Sequence, residues 1–252
     1  MIKKFIIVLI IPLLYSCNTD VFGDCFQNDN GTVVQQEYDV DIFKSIIVFD
    51  RVKLFISQGP VQKVVVESPD NLLNEVKVVV EDSILKLKDN NSCNLLRDFE
   101  TTKVYVTTPD IDRIRNSSGS TVEDFGELRF RNLALISEDQ LVEDEFHIDG
   151  DFNLDQLNVG TLTIDANGVS TFYLSGNART AQFGLSDGDV RIEAADFVVE
   201  DLVIFHRSTN KIIVSPTNSL RGIIYGIGDI ICLTRPPIVE IEERFRGRLI
   251  FE

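Results

Sequence analysis

From Phe43 onward the chain alternates apolar and polar positions in short runs bounded by turn residues. Val52-Lys-Leu-Phe-Ile56, Val64-Val-Val66, Val76-Lys-Val-Val-Val80, Ile84-Leu-Lys-Leu87 and Lys103-Val-Tyr-Val-Thr107 are rich in β-branched residues. Gln58-Gly59-Pro60 and Ser68-Pro69-Asp70-Asn71 punctuate them. A period of two with such punctuation predicts short half-buried strands. The only helical candidate is Asn71-Leu-Leu-Asn-Glu75, too short to stand without tertiary packing. The expected class is all-β, with no long helix after the N-terminal segment.

The second half adds a longer period. Gly119 to Asp139 and Gly168 to Gly188 are each 20 residues, and Gly188 to Gly228 is 40, with Ser208-Thr209-Asn210 at the midpoint. Aligning Gly188 on Gly228 predicts that Phe183 stacks on Ile223, Leu185 on Tyr225, Val190 on Ile230 and Ile192 on Cys232. Tight turns at fixed places with stacked inward residues are what a solenoid needs, and 20 residues would make a perimeter of about 66 Å. The period favours a parallel β-helix with degenerate rungs of about 20 residues over an up-and-down barrel or a sandwich. The 29-residue gap between Asp139 and Gly168 requires an insertion.

The N-terminus sets the compartment. Lys3 and Lys4 precede the apolar run Phe5–Leu14, whose ten residues would rise about 15 Å as a helix, half of a bilayer core. That is a secretory signal, followed at once by Leu14-Tyr15-Ser16-Cys17. These four residues resemble the lipobox of bacterial lipoproteins, which implies cleavage before Cys17 and lipidation of its thiol. Residues 1–16 are then the signal peptide, 17–39 a lipidated tether and 40–252 a single head domain. Asn18 after the cysteine favours the outer membrane over inner-membrane retention. Cys25 and Cys93 lie in polar, turn-rich stretches and are the expected disulfide of an exported chain. That bridge would close a loop of about 70 residues and contribute about 4 kcal/mol. Cys232, inside Ile230-Ile-Cys-Leu233, reads as a small buried apolar residue.

Composition narrows the function. The 252 residues carry 24 Lys and Arg against 40 Asp and Glu, a net charge of −16, which repels phosphate backbones and excludes nucleic acid as the expected partner. Two histidines, His147 and His206, rule out a multi-histidine metal site within one chain.

The run Phe43-x-x-Ile46-x-Val48, Val52-x-Leu54-x-Ile56-x-Gln58-Gly59, Val64-x-Val66-Glu67, Asn71-Leu72-Leu73, Leu85-x-Leu87 and Val104-x-Val106-Thr107-x-Pro109 resembles the auto-transporter adhesin head domain, a GIN-type domain of unknown function. The Ser-Gly-Ser and Gly-Asp-Val/Ile turns match it too, so the resemblance covers roughly residues 40 to 250. It implies a right-handed parallel β-helix on a lipoprotein of Bacteroidota-type bacteria, and its motifs are structural rather than catalytic. The chain departs from the family's turns at Ser137-Glu-Asp-Gln140 and Arg207-Ser-Thr-Asn210.

Chemistry-bearing clusters are sparse. Asp149-Gly-Asp151 and Asp187-Gly-Asp189 would supply hard oxygens for Ca²⁺, but sharp corners want the same residues. Glu138, Asp139, Glu143, Asp144 and Glu145 would suit acid/base cleavage of a glycan, or a solvated face. His206 and Ser208 share one strand face, as a base and nucleophile would, but no third residue orients them. Arg244-Phe-Arg-Gly-Arg248 would contact anionic head groups or glycan, or keep the last rung polar. No catalytic, cofactor or metal residue is assigned. The expected protein is a non-catalytic cell-envelope lipoprotein, anchored in the membrane through Cys17 and braced by Cys25 and Cys93, that binds a surface or glycan. The alternatives are a structural or sensing component with a protein partner, and a polysaccharide-degrading enzyme on the same scaffold.

Overall fold

Alternation of side chains is how this chain builds its core: on one strand Phe172 and Leu174, then Ala178, then Ala181, Phe183 and Leu185 point inward and are buried, with a break in the alternation on either side of Ala178. A computed structural model describes residues 31–91, 102–139 and 146–252. The strands are β1 (Val33–Tyr38), β2 (Ser45–Phe49), β3 (Val52–Gln58), β4 (Lys63–Pro69), β5 (Val76–Glu81), β6 (Ile84–Asp89), β7 (Thr102–Thr108), β8 (Arg113–Ser117) and β9 (Val122–Asp124). They continue as β10 (Asn132–Ser137), β11 (Phe152–Ala166), β12 (Thr171–Leu185), β13 (Arg191–His206), β14 (Ile212–Ile224), β15 (Ile230–Cys232), β16 (Ile238–Glu243) and β17 (Leu249–Phe251). The fold is all-β. Among the described residues the helical content is one 3-10 turn, Leu73–Glu75, where the sequence placed its only helical candidate. No helix among them is long and apolar enough to cross a membrane.

All seventeen strands join one hydrogen-bonded sheet that folds around a shared core. From β8 onward the pairing is parallel. Phe152 pairs with Phe172, Phe172 with Ile192, Ile192 with Ile212, Ile212 with Ile230 and Ile230 with Leu249, in steps of 18 to 20 residues. A second inward column runs Leu162, Ala181, Leu202 and Leu220, and its register continues to Val239, which is exposed on the last strand layer. The step from Asn132 to Thr161 is 29, so the expected insertion lies between β10 and β11.

The N-terminal part corrects the expectation of a uniformly parallel coil from residue 40. Here β4 is antiparallel to both β1 and β7, and β5 to β6. The β5–β6 hairpin turns through Asp82 and Ser83, both at positive φ (51° and 62°), the geometry that matches strand twist in two-residue hairpins. Strands β2 and β3 are flanked by β6 and β7 on one side and by β8 and β9 on the other, so sequence order is not spatial order. The β5–β6 pair is antiparallel because a two-residue connection closes only as a hairpin.

Turns are held by carboxylates that reach about one step along the chain. Asp151 accepts from Thr171 N (2.6 Å), Asp189 from the Thr209 hydroxyl (2.5 Å) and Asp229 from Arg248 N (2.8 Å). Gly188, at φ +78°, has no room for a side chain: a Cβ there would lie 2.2 Å from the Gly168 carbonyl oxygen. The last step is covered by arginines, with Arg235 over the Phe251 ring (4.3 Å) and Arg248 paired to Glu243 (3.5 Å).

His206 occupies an inward column between Leu185 and Ile224 and is fully buried. Neither ring nitrogen has a hydrogen bond of normal geometry. Burial holds its pKa below the ordinary histidine value, opposed by the nearby Gly228 backbone, Asp229 and the Asn210 backbone.

Two outcomes are expected. Phe152 and Phe172 stack at 4.9 Å inside the core, so Phe172→Ala should lower the unfolding free energy by about 3–5 kcal/mol, while outward Tyr173→Ala should change it by under about 1 kcal/mol. Urea denaturation reads both. For His206 the unfolded chain takes up a proton near pH 6.5 and the folded chain does so only at lower pH, so this residue removes stability as pH falls below about 6.5. In urea titrations between pH 7.5 and 5.5, His206→Leu should show a shallower decline than the parent; identical slopes would show that His206 carries none of it.

Candidate functional site

After β9 the chain keeps alternating while it turns a corner. Leu128 and Phe130 point inward and are buried, which throws Phe125, Glu127, Arg129 and Arg131 outward. Backbone bonds fix this corner to its neighbours: Phe125 N donates to Ile56 O (3.0 Å), Leu128 N to Gln156 O (2.9 Å), Gly160 N to Phe130 O (3.2 Å) and Thr161 N to Arg131 O (3.0 Å). The Gln58 side chain accepts from Arg129 N at 2.7 Å. A row of outward side chains is therefore held on backbone paired at both edges.

On one side of the corner lies an aromatic shelf. Phe55 and Tyr105 are registered neighbours on β3 and β7 and stack at 4.9 Å; Phe125 meets Tyr105 edge-on at 5.9 Å and is 46% exposed. Gln35 and Lys63 complete a recess of about 230 Å³ beside it.

On the other side lies a polar recess of about 460 Å³. Two outward columns line it. Leu128 bridges Leu157 and Asn158 pairs with Asn177, so Arg129, Asn158 and Asn177 follow one another on successive strands. Asn132 pairs with Thr161, Thr161 with Thr180 and Thr180 with Asp201, which sets Arg131, Gly160, Arg179 and Glu200 in the adjacent column. Arg129 pairs with Glu127 at 2.5 Å. Hydrogen bonds from Arg129 and then Asn158 hold the Glu127 carboxyl below its usual range.

The residues singled out from the sequence fall elsewhere. Cys17, Cys25, Cys93, Glu143, Asp144 and Glu145 lie outside the described residues. Asp149 and Asp151 sit on a turn, where Asp151 holds Thr171; its pKa is raised by burial, against the pull of that bond and with Asp149 adding to the rise. Asp187 accepts from Gly188 N (2.9 Å) and Asp189 from Thr209, which is turn chemistry. No set of three metal-ligating side chains meets among the described residues. Glu138 does have a basic partner, Arg115 on β8 at 3.3 Å, and Asp139 accepts from Asn167 Nδ2 at 2.9 Å, so this pair brings β8 and the loop after β11 together. His206 and Ser208 are both sealed in the core, and the Ser208 hydroxyl donates to Val190 O (2.7 Å). Cys232 is buried, as its neighbours implied.

Neither the shelf nor the polar recess was singled out from the sequence. The signal available was Leu128-Arg-Phe-Arg131, an alternation that places two guanidiniums outward. Arg179 joins them only once the strand register is known.

Three solved structures share the fold. A putative adhesin from Bacteroides fragilis NCTC 9343 aligns with TM-score 0.75 at 21% identity, over 88% of this chain and 97% of that one. A putative adhesin from Parabacteroides merdae ATCC 43184 aligns with TM-score 0.61 at 16% identity, over 88% and 97%. A putative lipid binding protein from Parabacteroides distasonis ATCC 8503 aligns with TM-score 0.61 at 17% identity, over 88% and 98%. No curated protein matches the chain. The family model for the putative auto-transporter adhesin, head GIN domain, matches residues 42–236, and the chain belongs to that family.

Proposed function

We propose that this protein is a cell-envelope lipoprotein whose head binds extended glycan on an outer surface without catalysing a reaction. The observation that carries this reading is the outward row Phe125–Arg131, which joins an aromatic shelf to a polar recess. Half-exposed aromatic rings offer flat apolar faces to sugar rings, and the flanking amides and charges supply hydrogen bonds to hydroxyls. Both recesses are shallow and lie on successive strands about 4.8 Å apart, a spacing that suits a polymer better than an enclosed small molecule. Membership of an adhesin-named family supports attachment as the role.

In this reading residues 113–251 wind as a right-handed parallel β-helix, in line with the strong preference for right-handed crossovers between parallel strands. Cys17 carries the lipid that tethers the head to the outer membrane through residues 17–39, and Cys25 with Cys93 braces its base. A second reading, a protein partner, is supported by Phe205 and Tyr225, whose rings lie 5.7 Å apart on the outer face near exposed Val203. The name of the Parabacteroides distasonis lipid binding protein points to a third ligand class on the same fold.

Two experiments test the proposal. In native gels cast with a panel of soluble polysaccharides, at least one polymer should retard the protein, and Phe125→Ala should restore most of its mobility. Free migration through every polymer would overturn glycan binding. In cells, Cys17→Ala should move the protein from the membrane to the soluble fraction, and protease should digest the parent head on intact cells. Protection until the outer membrane is broken would place the head in the periplasm and end the adhesion reading.

A further inference from the structure

We propose that the recess over Gly160 is a subsite for the carboxylate of an acidic sugar residue, an inference that rests on the glycan-binding reading above. The first argument is charge. In a chain of net charge −16, three guanidiniums converge on one concave surface, those of Arg129, Arg131 and Arg179. Seven of the twelve arginines from Arg113 onward have carboxylate partners: Arg115, Arg129, Arg191, Arg207, Arg221, Arg244 and Arg248. Among the described residues Arg131 and Arg179 have none within ion-pair distance, although both are exposed at the recess. Two cations without carboxylate partners that flank one gap in an acidic protein mark a place where an anion from outside is more favourable than in bulk.

The second argument is shape. Arg131 and Arg179 are two strand spacings apart, about 9.6 Å, with Gly160 between them. A Cβ at Gly160 would lie 2.5 Å from the Arg131 carbonyl oxygen, so the backbone approach that seats the corner also keeps the gap between the guanidiniums empty. An anion lowered into this gap would meet planar donors from both sides, the arrangement in which arginine outperforms lysine for carboxylates.

The third argument separates a sugar acid from a simple anion. Exposed Asn158, one of whose N–H groups goes to Glu127, and exposed Asn177 offer donors and acceptors in the adjacent column, and Glu200 offers only acceptors beside Arg179. Sulfate has no hydroxyl for Glu200 and would be repelled by it. A sugar acid presents a carboxylate to the guanidiniums and ring hydroxyls that donate to Glu200 and the asparagine oxygens. The aromatic shelf, six residues before Arg131 on the same row at Phe125, would then hold a neighbouring sugar of the chain.

The test is isothermal titration calorimetry on the full chain in detergent at 150 mM NaCl. The probes are trigalacturonate and 3′-sialyllactose, with maltotriose and lactose as neutral counterparts and sodium sulfate as the simple anion. At least one acidic sugar should bind ten-fold or more tightly than its neutral counterpart. Arg131→Ala and Arg179→Gln should each weaken it ten-fold or more, with unchanged melting temperatures because both side chains are exposed. Glu200→Gln should tighten sulfate and weaken the sugar. Three results overturn the inference. Equal binding of acidic and neutral sugars, indifferent to the arginine variants but lost in Phe125→Ala, would leave the glycan-binding face standing and remove its acidic subsite. Sulfate binding as tight as the sugars would make the recess an anion site only. Absence of binding by any sugar, together with free migration through polysaccharide gels, would remove both readings.

Discussion

From β11 onward this structure depends on parallel strands that must find partners about twenty residues away. Each such pairing closes a loop whose entropy cost the ladder itself does not recover, and parallel hydrogen bonds are slightly weaker than antiparallel ones. The compensation lies in the columns. A side chain such as Ile192 touches Phe172 on one side and Ile212 on the other, so each added strand buries its own apolar row and completes the burial of the previous one. Carboxylates at the corners reinforce the spacing, because Asp151, Asp189 and Asp229 each bind a group one step further on. Part of the chain's acidity is thus architectural. The carboxylates are where backbone N–H groups and hydroxyls of the next turn need acceptors.

The same constraint explains what the sequence made legible. Alternation identified the strands, and the glycine spacing revealed the step, because Gly188 is demanded by the close approach of Gly168. The column assignments were less secure. Ile192 was expected over Cys232 but leads through Ile212 to Ile230, and the two candidates differ by two residues. A period-two pattern cannot sense a slip of two. Phe183 was expected over Ile223 but leads through Ile204 to Gly222, a slip of one. That odd shift enters between β12 and β13, where the register breaks between Tyr173 and Gly176, and the further breaks between β13 and β14 move it by two in the opposite direction. The antiparallel N-terminal block was invisible for a related reason: strand text specifies burial and not the direction of a partner.

The polar recess was hidden by the one irregular step. Arg131 and Gly160 are 29 residues apart, whereas Gly160 and Arg179 are 19 apart, so no constant period brings the three together. Surface columns are also free of the hydrophobic signal that marks inward ones, since any polar residue satisfies the pattern. Function on such a scaffold is written in columns that run across the strands, at right angles to the direction in which a sequence is read. The candidates that did stand out along the sequence, the Asp-Gly-Asp turns and His206 with Ser208, proved to be corner acceptors and core.

The hairpin of β5 and β6 has a consequence for the order of assembly. Its strands are joined by only Asp82 and Ser83, so it can form on its own within about 1–10 μs, long before any pairing across twenty residues. It then presents β6 as a ready edge for β2, and β2 in turn for β8, after which each later strand has a template waiting on the N-terminal side. Growth would be directional, from the first strands toward the last. A chain threaded through a membrane N-terminus first could fold as it arrives, each new segment zipping onto finished structure instead of waiting, unpaired and adhesive, for a partner still on the other side.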